Sequence, residues 1–239
     1  MGNVIIEHYL TFDGKNSRDF GVWISGGGTF NAPARDIQLV QIPGRNGDLT
    51  FDNGRYQNIT VAYPAFISRA FRRRIDDFRA FICAPIGYRR LEDTYHPEEF
   101  RMAMYSGGLD VSTTPRNMAG MFNLAFNCKP QRWLKSGELP KTFNANGALY
   151  NPTLYAAKPL VRAYGTGTFT INGVSVRITA AIGYTDIDCD SMDAYKGSTN
   201  CNRNIALVNG AFPEIAPGEN AVTLSGLTSI EITPRWWTL

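Results

Sequence analysis

Apolar and polar residues alternate over much of the chain, and this period of two is the pattern of half-buried β-strands. The run from Tyr56 to Tyr63 alternates in this way and is rich in β-branched residues, which favours a strand that ends at Pro64. Phe122, Leu124 and Phe126 alternate with smaller or polar residues. They predict a second strand whose aromatic side faces a core.

Turn signals separate these runs. Pro43-Gly44 has the residue order of a type II turn, and Asn46-Gly47 and Asn53-Gly54 supply residues that tolerate a positive φ angle. Each pair is predicted to reverse the chain, so that this segment forms strand, turn and strand. The glycines Gly26, Gly27 and Gly28 lack the Lys-Ser or Lys-Thr pair of a phosphate-binding loop and favour a tight or flexible turn.

The period changes once, after Ser68, which is a suitable N-cap residue. Apolar residues then recur at helical spacing, at Phe71, Ile75, Phe78 and Ile82. Pro85 and Gly87 end the pattern. The sequence therefore predicts one helix that packs on a sheet through this stripe, with weak ion pairs from Arg72 to Asp76 and from Arg73 to Asp77.

Turn-forming residues between Lys135 and Asn146 mark the best domain boundary. We predict an N-terminal domain of residues 1–135 and a C-terminal domain of residues 136–239. Short strands and turns recur throughout the second part, including a hairpin turn at Asn172-Gly173, and such spacing is typical of a sandwich. The predicted fold class is mainly β with one α-helix.

Composition excludes several classes of protein. The 239 residues are 44% hydrophobic and carry a net charge of only +3, which is too balanced for a dedicated nucleic-acid binder. No apolar run reaches the length of a membrane span, so we expect no membrane insertion. The start of the chain lacks the features of a signal peptide, and we expect folding in a cytoplasm. Free thiols are therefore expected at the four cysteines, with pairing of Cys189 and Cys201 as the alternative.

Positive charge is concentrated in the first part of the chain, with 17 basic and 13 acidic residues up to Lys135. Arg72, Arg73 and Arg74 lie together on the predicted helix, where they spread over a wide arc. Three roles remain open for them: solvation or local pairing, contact with a neighbouring subunit, or contact with nucleic acid. Arg72 and Arg73 are our candidates for a subunit or partner contact.

Two tryptophans close the chain, at Trp236 and Trp237. Leaving both exposed would invite association, because large apolar groups at the surface favour contacts. They are expected either to dock onto their own domain or to contact a subunit or partner. Gln131 to Leu134 forms a similar segment at the predicted boundary, where packing is its simpler role.

The candidates for chemistry are weak. Asp186, Asp188 and Asp190 begin like a calcium loop, but Ser191 and Gly197 occupy the positions that require glycine and glutamate. We therefore predict a solvated strand face for the three aspartates, with Ile187 and Cys189 turned inward.

The two histidines, His8 and His96, form no known local catalytic motif. The acidic pairs Glu92-Asp93 and Glu98-Glu99 flank a predicted turn around His96-Pro97, and a solvated tip is favoured over a glycosidase site. We expect no enzyme activity, no cofactor and no metal.

Six segments occur in a specific order: PGRNGDL with GRYQN, YPAFI, the basic amphipathic helix, GYRRLEDTYHPEEFR, CKPQRWL and PRWWTL. Together they resemble the distal tail protein of long-tailed phages with non-contractile tails, over nearly the whole chain. The resemblance implies an N-terminal β-domain with one helix and a hairpin, followed by a galectin-like β-sandwich.

The resemblance also implies a role. Six copies are expected to form a ring at the distal end of the virion tail, after assembly in the bacterial host cytoplasm. This ring joins the tail tube protein to the tail-associated hub protein and holds receptor-binding or baseplate components. Assembly is expected to rest on residues 1–135, with the second domain as a peripheral platform.

Two rival functions remain open. A carbohydrate-binding module that assists attachment to the host cell wall requires an exposed aromatic platform, yet the second domain has no histidine and its only tryptophans close the chain. A hydrolase requires carboxylates or a nucleophile that converge from distant segments.

Overall fold

The computed structural model describes residues 7–181 and 183–239. These residues form two compact units. One comprises the described residues up to Arg132 together with Leu239, and the other comprises Trp133–Thr238. Each unit has its own buried cluster of apolar side chains.

The first unit is built mainly from antiparallel strands and one α-helix. The helix, α1, spans Phe71–Cys83, and short 3₁₀ helices span Ser17–Phe20 and Pro115–Asn117. The strands are β1 Leu10–Phe12, β2 Lys15–Asn16, β3 Trp23–Ile24, β4 Arg35–Val40, β5 Leu49–Tyr56, β6 Ile59–Ile67, β7 Arg89–Asp93, β8 Glu99–Tyr105, β9 Val111–Thr113 and β10 Gly120–Leu134.

The main sheet of this unit follows the order β2-β1-β7-β8-β10-β6-β3, and β9 pairs with the start of β10. Strands β6 and β10 form its longest pairing, from Gly120 opposite Ile67 to Cys128 opposite Ile59. Because side chains alternate along a strand, Phe122, Leu124 and Phe126 share one face, and all three are buried as predicted.

Helix α1 covers this core with Phe71, Phe78, Phe81 and Ile82, which are buried. The predicted stripe is confirmed at three of its four positions, while Ile75 is only partly buried. The predicted N-cap at Ser68 is wrong, because the helix begins after Ala70, a residue with a φ of 51° and no capping side chain.

Two local predictions in the first unit are wrong. Asn53-Gly54 is not a turn, because it lies inside β5, where the register with β4 shifts at a bulge. Gly54 has a φ of 69°, and its N–H donates to the Asp52 carboxylate. Pro64 does not end β6 either. Its carbonyl accepts from the Ser25 N–H, so its nitrogen faces the same side of the strand, just beyond the end of the short strand β3. The sheet needs no hydrogen bond from the proline nitrogen at this position.

The second unit consists of two antiparallel sheets. Their orders are β11-β21-β13-β16-β17-β18 and β12-β20-β14-β15-β19. The strands are β11 Lys141–Phe143, β12 Gly147–Asn151, β13 Leu160–Tyr164, β14 Gly167–Ile171, β15 Val174–Ile178, β16 Tyr184–Asp188, β17 Asp193–Lys196, β18 Thr199–Asn200, β19 Ile205–Leu207, β20 Gly218–Ser225, β21 Ser229–Thr233 and β22 Trp237–Thr238. Short 3₁₀ helices span Lys135–Glu138 and Asn202–Asn204.

Alternating side chains from both sheets bury one apolar cluster, which includes Val161, Phe169 and Ile230. The predicted hairpin turn between β14 and β15 is confirmed, because Asn172 and Gly173 have φ angles of 49° and 83°. The predicted fold class, mainly β with one α-helix and with a β-sandwich in the C-terminal part, is confirmed.

Candidate functional site

Strands β4 and β5 form a two-stranded ribbon that belongs to no larger sheet. Most of its residues are exposed, and the exposed set contains large apolar side chains: Ile37, Leu39, Val40, Leu49 and Phe51. Leu39 and Phe51 are 56% and 51% exposed. Ile42, in the connecting loop, and Phe30, shortly before β4, are exposed as well.

The loop of the ribbon turns where the sequence predicts. The Ile42 carbonyl accepts from the Arg45 N–H across Pro43-Gly44, and Gly44 has a φ of 78°. A positive φ at this third position is what a type II turn requires. Gly47 also has a positive φ, of 82°.

The register of the ribbon places apolar side chains on both of its faces. Residues that are directly opposite share a face, so Ile37 and Leu39 lie on the face that carries Thr50 and Asp52. Val40, Leu49 and Phe51 lie on the other face. Both faces of the ribbon therefore expose apolar side chains, whereas an ordinary half-buried strand presents a polar face to solvent.

An ion pair crosses each face near the base of the ribbon. Arg35 Nε donates to Asp52 over 2.6 Å on one face, and Arg55 Nε donates to Asp36 over 2.6 Å on the other. The hydrogen bond and charge of Asp52 raise the pKa of Arg35, and the hydrogen bond from Arg55 lowers the pKa of Asp36. These pairs connect the two strands next to the bulge and leave the apolar residues exposed.

An isolated two-stranded ribbon is at best marginally stable in water. Exposed apolar patches on soluble proteins mark interaction sites, and an exposed apolar strand edge promotes pairing with another chain. The ribbon therefore has the features of a surface that is completed by another protein surface. Sequence reasoning missed it, because its alternation is the same as that of a strand packed on its own core.

Helix α1 presents the predicted basic residues to solvent at its first turn. Arg72 and Arg73 are exposed, whereas Arg74 is partly buried. The predicted pairs within the helix differ from those observed, since Asp76 pairs with Arg79 over 2.6 Å.

A groove of about 470 Å³ lies beside this end of the helix. Its lining includes Phe71, Arg72 and Arg73 from the helix and the exposed Met118 from the facing loop. This first turn carries no acidic residue, although the N-terminus of a helix favours negative charge. The groove thus brings apolar and basic side chains together.

The terminal tryptophans pack within the second unit. Trp236 is 4% exposed and belongs to the apolar cluster of that unit. Trp237 is partly exposed, stacks on Tyr155 with ring centroids 4.4 Å apart, and donates from Nε1 to the Ala156 carbonyl. Trp236 therefore docks onto its own unit, which is one of the two predicted alternatives. A contact between Trp237 and a partner stays a prediction.

The predicted solvated face at Asp186, Asp188 and Asp190 is wrong for the first two residues. Asp186 is 5% exposed and accepts two hydrogen bonds from Arg162 at 2.7 and 3.0 Å. Asp188 accepts two from Arg235 at 2.8 and 2.9 Å.

Burial alone would raise the pKa of Asp188, but the hydrogen bonds, chiefly from Arg235, lower it below the ordinary value. Ile187 and Cys189 are buried, as predicted. The aspartates are therefore structural ion-pair partners. Their arginines come from strands and loops that are distant in sequence.

The other candidates for chemistry occupy structural positions. His8 Nδ1 is 3.0 Å from the Thr94 hydroxyl, and the Asp93 carboxylate accepts from Tyr63 and from the backbone of the following turn. Within residues 7–181 and 183–239, no group of three His, Cys, Asp or Glu side chains is placed to hold a metal ion.

All four cysteines are free, so the alternative of a Cys189–Cys201 bond is wrong. Burial raises the pKa of the Cys128 thiol to about 11 and that of Cys189 to about 12. Both thiols are therefore protonated near neutral pH, and a thiol is a much weaker nucleophile than a thiolate.

One sheet of the second unit brings tyrosines and charged residues together. The ring centroids of Tyr164 and Tyr184 lie 6.3 Å apart. The guanidinium of Arg162 lies 4.3 Å from the ring centroid of Tyr184. Lys196 Nζ is 5.2 Å from the same centroid. Arg162 and Lys196 therefore both contact the ring of Tyr184 and compete with any sugar for that surface.

The fold and the exposed ribbon define a two-unit β-protein whose most distinctive surface is suited to assembly. The fold is that of phage distal tail proteins. The Dit protein of phage SPP1, described as a paradigm of the hub adsorption apparatus in phages that infect Gram-positive bacteria, matches with a TM-score of 0.76 over 97% of this chain and 99% of its own, at 12% identity.

A chain in structures of the phage P2 baseplate in its activated conformation is also similar. The match has a TM-score of 0.51 in the structures with Ca and with Sr, at 11% and 12% identity, and covers 95% of this chain and 97% of the other. No family model and no curated protein match the sequence. At this level of identity the likeness establishes the fold. Among the described residues, no helix is both long and apolar enough to cross a membrane.

Proposed function

We propose that the protein is a structural virion protein that forms a hexameric ring at the distal end of the phage tail. The ring joins the tail tube protein to the tail-associated hub protein and supports receptor-binding or baseplate components. Assembly takes place in the bacterial host cytoplasm. The observation that carries this proposal is the two-stranded ribbon with uncovered apolar residues on both faces, in a chain with the fold of distal tail proteins.

An exposed ribbon suits a ring for a geometric reason. When the ribbon of one copy lies against a different surface of the next copy, the contact is heterologous. Repetition of such a contact closes into a ring when the rotation between copies permits it. The first unit contains the ribbon, so we assign ring formation to the first unit and the peripheral platform to the second.

The basic end of helix α1 is proposed as a second contact surface for a subunit or partner. Arg72 and Arg73 are exposed beside an apolar groove, and arginine is enriched at protein interfaces. The groove fits a partner segment that carries acidic groups next to an apolar side chain. No catalytic step is assigned to the protein. The alternative of a carbohydrate-binding module would have to use another exposed aromatic side chain of the second unit, such as Tyr150, because the ring of Tyr184 already contacts two cations.

Replacing Arg72 and Arg73 with glutamate is expected to weaken ring formation or tail assembly much more than it lowers stability. Exposed charges away from special features usually change stability by about 0.5 kcal/mol or less. Charge reversal at a complementary contact introduces repulsion of about several kcal/mol. The melting temperature and the oligomer mass, measured on the same preparation, separate the two effects.

The matched control is the double variant Arg177→Glu and Arg203→Glu, which makes the same charge change at exposed arginines of the second unit. It is expected to assemble normally. If the Arg72 and Arg73 variant also assembled and melted normally, these arginines would be merely solvated. A large loss of melting temperature would instead place them in the fold.

The position of the protein in the particle is tested by electron microscopy of virions labelled with an antibody against this chain. Label is expected at the distal end of the tail, between the tube and the adsorption apparatus. Label along the tail tube or on the capsid would refute the proposed function.

A further inference from the structure

A small cavity of about 10 Å³ lies within the first unit, among charged side chains of β7, β8 and β10 and the turn after β7. Its lining includes Asp93, His96, Glu99, Arg101 and Arg132. Arg101 occupies a position on β8 that faces the core, in the same row as Ala103 and Tyr105. It is only 8% exposed, and burial lowers its pKa.

Three buried nitrogen atoms of the residues that line the cavity have no hydrogen-bond partner in the described part of the chain. They are Arg101 Nη1, Arg132 Nε and His96 Nε2. The other polar atoms of Arg132 are engaged, since Nη1 donates to Glu99 over 3.3 Å and Nη2 donates to the Leu239 carbonyl. Buried polar groups in folded proteins are almost always paired with protein or with ordered water.

The chemistry of the three nitrogens is complementary. Both arginine atoms are donors only. His96 Nδ1 lies 3.3 Å from Asp93 Oδ1, and a carboxylate neighbour favours the tautomer in which Nδ1 carries the hydrogen. Nε2 of neutral His96 is then an acceptor. The site therefore offers two donors and one acceptor, with the Glu99 carboxylate as a further acceptor in the lining.

We propose that this cavity binds a single water molecule as a permanent part of the fold. The water accepts hydrogen bonds from Arg101 Nη1 and Arg132 Nε, and it donates to His96 Nε2 and to Glu99. This arrangement uses both lone pairs and both hydrogens of the water. The cavity volume is consistent with one water molecule, which requires roughly 10–15 Å³ of cavity volume.

Charge favours water over a small anion. The lining contains two arginines and two carboxylates, Asp93 and Glu99, so its formal charges already balance. An anion would satisfy the arginine donors, but it would also face the lone pair of His96 Nε2 and the Glu99 carboxylate. Water avoids both repulsions because it can donate as well as accept.

The test is a crystal structure of the full chain at a resolution that shows other internal waters, with a second crystal soaked in sodium bromide. One fully occupied water is expected in the cavity, within hydrogen-bond distance of Arg101 Nη1, Arg132 Nε and His96 Nε2. No anomalous bromide signal is expected there. A dry cavity, a bromide peak, or an Arg101 side chain turned to solvent would each overturn the proposal.

A pair of variants tests the role of His96 separately. His96→Phe removes the acceptor, and the occupancy of the water is expected to fall strongly. Tyr95→Phe is the matched control, because the neighbouring Tyr95 hydroxyl is also buried without a partner but is absent from the lining of this cavity. It is expected to leave the water unchanged. Full occupancy in His96→Phe would contradict the proposed coordination, and the wild-type crystals still decide the case if that variant does not fold.

Discussion

Replacing Leu39 and Phe51 with aspartate is expected to convert the ring into folded monomers. Leu39 lies on one face of the ribbon and Phe51 on the other, so the double variant disrupts contacts on both sides. Both side chains are already exposed in the single chain, and their replacement removes little from its own core. The melting temperature of the monomer is therefore expected to change by only a few degrees.

The expected loss of assembly is large. Truncation of a central interface residue costs about 2 kcal/mol or more, and a buried, unpaired aspartate adds a further desolvation cost. Each contact would then weaken by roughly 30-fold or more, since 1.4 kcal/mol is a factor of ten. Native mass measurement or light scattering at micromolar concentration reports the result.

The matched control for the ribbon variant places aspartate at Leu154 and Val208, which are 87% and 63% exposed in the second unit. This control changes the same number of apolar residues and adds the same charge, and its rings are expected to persist. If both variants assembled normally, the ribbon would not be the assembly surface. If both fell apart, a general effect of charge or solubility would explain the loss.

The largest expected effect on stability is that of Trp236→Ala. The ring of Trp236 is buried among side chains of the second unit, and removal of a buried aromatic side chain costs about 3–5 kcal/mol. For a unit of this size, such a loss lowers the melting temperature by roughly 10–20 °C. Calorimetry is the appropriate measurement.

Trp237→Ala is the comparison variant for Trp236. Its ring is partly exposed, and it contributes a stacking contact and one hydrogen bond, so a loss of about 1–2 kcal/mol is expected. Below its melting temperature, the Trp236 variant is expected to form rings. Loss of rings at unchanged melting temperature would show that Trp236 contacts a partner.

Local pattern was sufficient to predict the main elements of the fold. The aromatic row of β10, the single helix and the hairpin at Asn172-Gly173 are each specified by residues that are close in sequence. The bulge at Gly54 was not predictable in this way. Asn-Gly is compatible with both a tight turn and a bulge, and only the pairing partner of the strand decides between them.

The exposed ribbon surface and the buried ion pairs were not predicted, because they depend on residues that are distant in sequence. Asp186 is separated by 24 positions from Arg162, and Asp188 is separated by 47 positions from Arg235. No local sequence motif predicts these ion pairs. Period-two alternation also cannot show whether a face meets the chain's own core or another molecule, and this is why the ribbon became visible only in three dimensions. The sequence signal for the charged cavity lining around Arg101 is the place of this arginine on β8, in the same row as the apolar Ala103 and Tyr105.

Native mass spectrometry of the purified protein is the decisive measurement for the hexameric ring. One chain has a mass of 26.5 kDa. A dominant species of six times this mass is expected at micromolar concentration, and a single-chain mass is expected for the Leu39 and Phe51 variant. A wild-type protein that shows only the 26.5 kDa species across this range would contradict ring formation by the ribbon.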